Sequence, residues 1–310
     1  MKPKLIDNAK HILAEDMEKY VQIILKEYEK FIPQERQEYL KSIPEYQSRI
    51  IVEDSGTISM FAVGNNVIMP LSAYKIFKYM KMIPGYGINK KHKSYEEGEI
   101  LNNNTYYDYI KHVFISGMDV EEFFRDTLLH ETMHFCGSGG GSALREGITE
   151  MKTRELAQKY GLKASRCGYP KEVDIANRFQ NIVGEDIMNS IAFAENYHEI
   201  ISILAEKCGT NVANLFYEIS ELMDNELDSK YDHSKFGGIL GPIKKAKAYS
   251  QIDYSTIYEK LDAFEKGIST NNDFISSLIY KQNIYDEKSI PRKIVHPYKA
   301  KNNQDIEMKR

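Results

Sequence analysis

The sequence lacks tryptophan and has only three cysteines in 310 residues. Cys136, Cys167 and Cys208 are odd in number, widely spaced and without a C-x-x-C pair. That is the pattern of reduced thiols in a reducing compartment, not of a disulfide framework. No run of 18 apolar residues occurs, so no membrane-spanning helix is expected. No apolar stretch follows Met1-Lys2-Pro3-Lys4, so no ordinary secretory signal is expected either. The cytoplasm is the expected location, with export by a route without a cleaved signal left open. Basic charge is not in excess: 41 Lys and Arg stand against 45 Asp and Glu, for a net charge of -4. There is no electrostatic footprint for nucleic acid.

What is present suffices for a real core. The chain is 42% hydrophobic and 28% charged, enough for one large domain or two small ones. Its chemistry is concentrated in one stretch, 119 to 156. His130-Glu131-Thr132-Met133-His134 places two histidines at i and i+4, one turn apart on one helix face, where a single metal ion can take both imidazoles. Glu131 is offset from the ligand direction and can take a proton from a water on the metal. Cys136, at i+2 from His134, points off the histidine face and reads as core.

The flanks predict a helix. Asp119 is a good N-cap with Glu122 three residues on. Val120, Phe123, Phe124, Thr127 and Leu128 form an apolar face, and Gly137 is expected to end the helix in the left-handed conformation. After a glycine-rich turn, Ser142 can cap a second helix over 143 to 160 that stops at Gly161. Glu146 and Glu150 share one face of it. If the turn folds the second helix back antiparallel, Glu146 lies near His134 and Glu150 near His130. A zinc site needs a third protein ligand, with the fourth position left to water. Glu146 is the expected ligand and Glu150 its rival. In the favoured arrangement, Glu150 instead accepts a hydrogen bond from the far ring nitrogen of His130.

This segment resembles the gluzincin metallopeptidases, which carry H-E-x-x-H and a downstream glutamate ligand. That glutamate is written Asn-Glu-Gly-Phe-x-Glu in aminopeptidases and Asn-Glu-x-x-x-Asp in thermolysin-like enzymes. Arg145-Glu146-Gly147-Ile148-Thr149-Glu150 matches at the ligand and at the acidic residue four later. The gap from His134 to Glu146 is shorter than in either group. The aminopeptidase Gly-x-Met-Glu-Asn motif is replaced by Gly117-Met118-Asp119. The resemblance covers about 30 of the 310 residues.

It implies a predominantly helical α+β fold. A zincin-like catalytic core would combine a small N-terminal sheet, an active-site helix and a glutamate helix with flanking helices. It further implies one zinc ion per chain and a peptide or protein substrate; the charge balance and the lack of a long apolar run give the expectation of no nucleic-acid and no membrane partner.

Taken in order, 1 to 48 reads as an N-terminal helical segment punctuated by Pro33 and Pro44. The expected core spans 49 to 230. Within it, 57 to 63 and 67 to 71 flank Gly64-Asn65-Asn66 as a hairpin or short meander, whose edge strand can hold an extended peptide. A helix is expected over 72 to 82, followed by an irregular connector or lid to 112, with His92 and His112 on the surface. Helices follow over 171 to 183, 186 to 208, 210 to 226, 254 to 267 and 271 to 285. The C-terminal segment, 231 to 310, ends in a polar tail.

The expected function is peptide-bond hydrolysis with Glu131 as general base. Tyr169, Tyr197 and His198 are candidate donors to the oxyanion. The alternative is a zinc-binding sensor or toxin-like interaction protein without turnover, against which the intact Glu131 argues.

Overall fold

Apolar residues recur at helical spacing through the first helix, α1 (Pro3–Tyr28). Leu13, Met17, Tyr20, Val21, Ile24 and Tyr28 make one buried stripe. A 3-10 turn, Glu29–Phe31, leads to Pro33, and the short helix α2 (Gln34–Ser42) starts behind it. The computed structural model describes residues 3–53, 60–70, 120–137, 142–162, 168–230, 248–249 and 251–267. The chain divides into two compact units, Met1–Asn271 and Asn272–Arg310, and every described residue belongs to the first. The expectations for the 72 to 82 helix, the connector to 112, Asp119, most of the glycine-rich turn, Cys167 and the 271 to 285 helix lie outside the described residues.

Three short strands follow: β1 (Ile50–Glu53), β2 (Phe61–Val63) and β3 (Asn66–Pro70). Gly64, at φ +55°, supplies the tight reversal between β2 and β3. Their antiparallel register sets Ala62 opposite Val67. A meander is not what forms around this hairpin. β1 joins β3 in parallel, Ile50 beside Val67, so among the described residues the order is β1-β3-β2, with β2 at the edge. Strand alternation does not encode which neighbour a strand chooses. Here, burial of Ile50, Val67 and Met69 in one core accounts for the choice.

The histidine helix, α3 (Val120–Cys136), packs against α1, β2 and β3. Phe124, Leu128, Leu129, Met133, Phe135 and Cys136 join the α1 stripe in one hydrophobic core. Cys136 is fully buried, which pushes its thiol up to about 12. Gly137 does not take the expected left-handed conformation; the positive-φ glycines are elsewhere. Its N–H instead continues the helical pattern to the Met133 carbonyl at 3.0 Å. A Cβ there would stand 3.3 Å from the Ala192 carbonyl, so closeness to a neighbouring chain segment is the reason for glycine. Arg36 of α2 donates to the Phe135 carbonyl at the end of α3 and, at 2.5 Å, to Asn65 in the β2–β3 turn. One side chain thus ties the hairpin to the histidine helix.

The glutamate helix, α4 (Ala143–Tyr160), begins and ends where the sequence reading put it. Ser142 accepts from the Arg145 N–H at 3.2 Å, and Gly161 closes the helix at φ +61°. Five further helices pack on and beyond it: α5 (Pro170–Val183), α6 (Glu185–Ala192), α7 (Tyr197–Cys208), α8 (Thr210–Lys230) and α9 (Ser255–Glu265). The single helix expected over 186 to 208 is two. Asn196 accepts from the Glu199 N–H at 2.9 Å, and Glu199 reaches back to the Glu195 N–H at 2.6 Å. This reciprocal cap starts a new helix inside an apolar pattern that runs on without interruption. α8 extends one turn past its expected end.

Candidate metal centre

The residues to be placed are His130, Glu131 and His134 on α3 and Glu146 and Glu150 on α4. The helix spacing dictates one histidine face and one glutamate face, and the structure turns them towards each other. His130 Nε2 lies 3.1 Å from His134 Nε2, and each is 3.3 Å from Glu146 Oε2. The three residues form a group able to hold one metal ion. Both histidines are buried, and Glu146 is nearly so. Glu146 sits in the first turn of α4, where the positive end of the helix favours its charge.

Glu150 does not compete for that position. Its Oε2 is 2.8 Å from His130 Nδ1, the far ring nitrogen. With a proton on Nδ1 shared with this carboxylate, the lone pair of His130 is on Nε2, towards His134 and Glu146. Thr149 Oγ1 lies 3.4 Å from His134 Nδ1 and gives the second histidine a partner of its own. With both histidines in that tautomer, two imidazole lone pairs and a carboxylate face one point, a set able to hold a cation. Burial alone would lower the pKa of His130, but Glu146, Glu150 and the charge of Glu131 raise it well above the usual histidine value. Glu150 is affected oppositely. Burial pushes it up, but His130, Arg154 and the Gly168 N–H outweigh this and hold it below the usual carboxylate range.

Glu131 lies between the candidate metal group and the sheet, close enough to feel the charge of His130, His134 and Glu146. Its Oε2 accepts the N–H of Ala62, on the edge strand β2, at 2.8 Å. Burial raises its pKa, with Glu146 adding to the rise and His130, His134 and the Ala62 N–H opposing it. A carboxylate so placed is a stronger base than one in water.

Of the three candidate donors, Tyr169 is set against His130. Its ring stacks on His130 at 5.9 Å and 29°, with Tyr249 edge-on behind it at 5.1 Å. Burial, then the charge of Glu146, raises the Tyr169 hydroxyl well above its usual value, so it keeps its proton. Tyr197 packs instead between Phe216 and Tyr217 of α8, and His198 is exposed at the start of α7.

Ala62, Thr149 and Tyr249 escaped the sequence reading. Nothing in the spacing of Ala62 or Tyr249 distinguishes them, because each reaches the site through tertiary packing; Thr149 stands three residues from Glu146 on α4, a spacing that places it on the same side of the helix. Arg154 and Asp126 also escaped it, although each stands four residues from a site residue, Glu150 and His130 respectively.

Comparison with protein-family models, with curated proteins and with solved structures finds no match to this chain, so the gluzincin resemblance rests on the residues of the site.

Proposed function

We propose that the chain is a zinc-dependent peptidase of the gluzincin type. The observation that carries this reading is the triangle of His130 Nε2, His134 Nε2 and Glu146 Oε2, with sides of 3.1, 3.3 and 3.3 Å. Ligand atoms around a tetrahedral zinc with bonds of about 2.0–2.1 Å lie roughly 3.3–3.4 Å apart. Two histidines and one glutamate are also a donor set that catalytic zinc uses, with a fourth position open.

When bound, zinc supplies an activated water and polarises a carbonyl. The remaining work falls to the chain. Glu131 accepts the proton of the attacking water on its carboxylate and passes it to the leaving amine. The raised basicity of Glu131 suits it to the first step, and the Ala62 N–H holds its orientation. Tyr169, protonated and stacked on His130, donates to the oxyanion. Among the described strands, β2 lies at the edge of the sheet, beside this base. An extended peptide added to that edge lies next to Glu131, which favours a peptide or protein substrate.

The test is zinc content per chain and cleavage of an unbiased peptide library, read by mass spectrometry. Wild type is compared with Glu146→Ala and Glu131→Gln. One zinc in the wild type, little in Glu146→Ala, and full zinc with turnover at least about 100-fold lower in Glu131→Gln are expected. Zinc-loaded wild type that cleaves no more than Glu131→Gln would end the peptidase reading.

A further inference from the structure

The contacts between α3 and α4 do not stop at the metal group. Asp126, His130 and His134 stand at i, i+4 and i+8 on α3; Glu146, Glu150 and Arg154 stand at i, i+4 and i+8 on α4. The helices run antiparallel and the two rows meet in three rungs. His134 pairs with Glu146 at 3.3 Å, His130 with Glu150 at 2.8 Å, and Arg154 with Asp126 at 3.3 Å. The first two belong to the metal site. The third lies one helical turn beyond it.

Arg154 also reaches along its own helix. Its Nε and a terminal nitrogen donate to Glu150 Oε1 at 3.1 and 2.5 Å. The Gly168 N–H donates to the same oxygen at 2.8 Å. Glu150 Oε1 therefore carries three donors, and Oε2 is turned to His130. A carboxylate held on one oxygen by a guanidinium and a backbone N–H, and on the other by an imidazole, is fixed against rotation. Exposed i,i+4 pairs contribute a few tenths of a kcal/mol and orient little. This one is enclosed, with Glu150 4%, Asp126 8% and Arg154 19% exposed.

We propose that Arg154, seated on Asp126, is a positioning residue for the metal site. It fixes the rotation of Glu150, which fixes the ring of His130 with Nε2 towards the metal. The Gly168 N–H belongs to the same junction and stands next to Tyr169, whose ring stacks on His130. One carboxylate thereby holds a ligand histidine and the segment carrying the oxyanion donor. This rests on the metal-site part of the reading above and not on peptidase turnover.

The experiment is the zinc dissociation constant of the full chain, measured by competition with a chromophoric chelator. Arg154→Met keeps the aliphatic stem and loses the fork. It is expected to bind zinc about tenfold more weakly, the lower end of the range for partners of metal-ligating histidines. Arg154→Lys and Asp126→Asn keep part of the arrangement and should fall between. The decisive readout is a double-mutant cycle. Arg154 acts through Glu150, so Arg154→Met should cost no further affinity in a Glu150→Gln background. Additive losses, or unchanged affinity in Arg154→Met, would overturn the role of Arg154 while leaving the metal site standing. Wild type that binds no zinc would overturn the metal site and this inference together.

Discussion

Gly147, next to Glu146 of the candidate metal group, lies against the backbone of Glu172. A Cβ at Gly147 would stand 2.6 Å from the Glu172 carbonyl carbon, its oxygen and its Cβ. No side chain fits there, and α4 and α5 meet more closely than any other residue would permit. Gly147→Ala is expected to lose about 1–3 kcal/mol of stability, read as a lower urea midpoint. Zinc affinity should fall with it, because Glu146 moves with its neighbour. An unchanged midpoint would mean that the helices are not in this contact.

Tyr169 stacks its ring on His130, and its hydroxyl is the proposed donor to the oxyanion. Tyr169→Phe keeps the ring and loses the donor. The expected result is a kcat lower by about 100-fold or more with KM little changed, the signature of an interaction made in the transition state. Steady-state kinetics on any cleaved peptide decides it. A change confined to KM would make Tyr169 a substrate-binding group.

Asp224 of α8 accepts the Ala143 N–H at the start of α4 at 2.8 Å. Burial raises its pKa from 3.8 to about 6; the Ala143 N–H opposes the rise, and Asp228 and Glu221 add to it. The folded chain therefore binds this proton more tightly than the unfolded chain. The contribution to stability is fully present below 3.8 and is lost as the pH rises through about 6. Asp224→Asn keeps an acceptor for Ala143 and removes the buried charge. The stability difference between variant and wild type should favour the variant progressively from pH 4 to pH 7, roughly the window these values span. Parallel denaturation curves at several pH values would reveal it, and a pH-independent difference would refute it.

Asn196→Ala removes the cap that starts α7. A loss of about 1 kcal/mol is expected, with metal binding unaffected, because Asn196 bonds to the Glu199 N–H and the site lies on α3 and α4. A stability change near zero would show that the break between α6 and α7 is held by packing and not by the cap.

The metal group was legible in the sequence because its geometry is local. Spacing of i and i+4 on two helices puts His130 with His134 and Glu146 with Glu150 whatever surrounds them. The capping serine and the stop at Gly161 are local too, and the α4 boundaries follow. What could not be read depends on distant partners. β1 chose β3 in parallel through a shared core. Gly137 is glycine because the chain near Ala192 passes close by. The Glu131 contact with Ala62 joins residues 69 apart in sequence. The break at 193 to 196 hid inside an apolar pattern, since Asn196 looks like an ordinary polar residue until its side chain is seen to cap.

The packing of α1 against α3 bears on the order in which the protein can be made. Ninety-one residues, 29 to 119, separate the end of α1 from the start of α3. On the ribosome, the stripe from Leu13 to Tyr28 emerges long before its main partner exists. Contacts this distant in sequence are slow to form, and an uncovered apolar stripe is what holdase chaperones bind. The histidine helix thus extends this core and brings His130, Glu131 and His134 with it, so covering the earliest helix and placing two of the three residues of the candidate metal group are one event, with Glu146 following on α4.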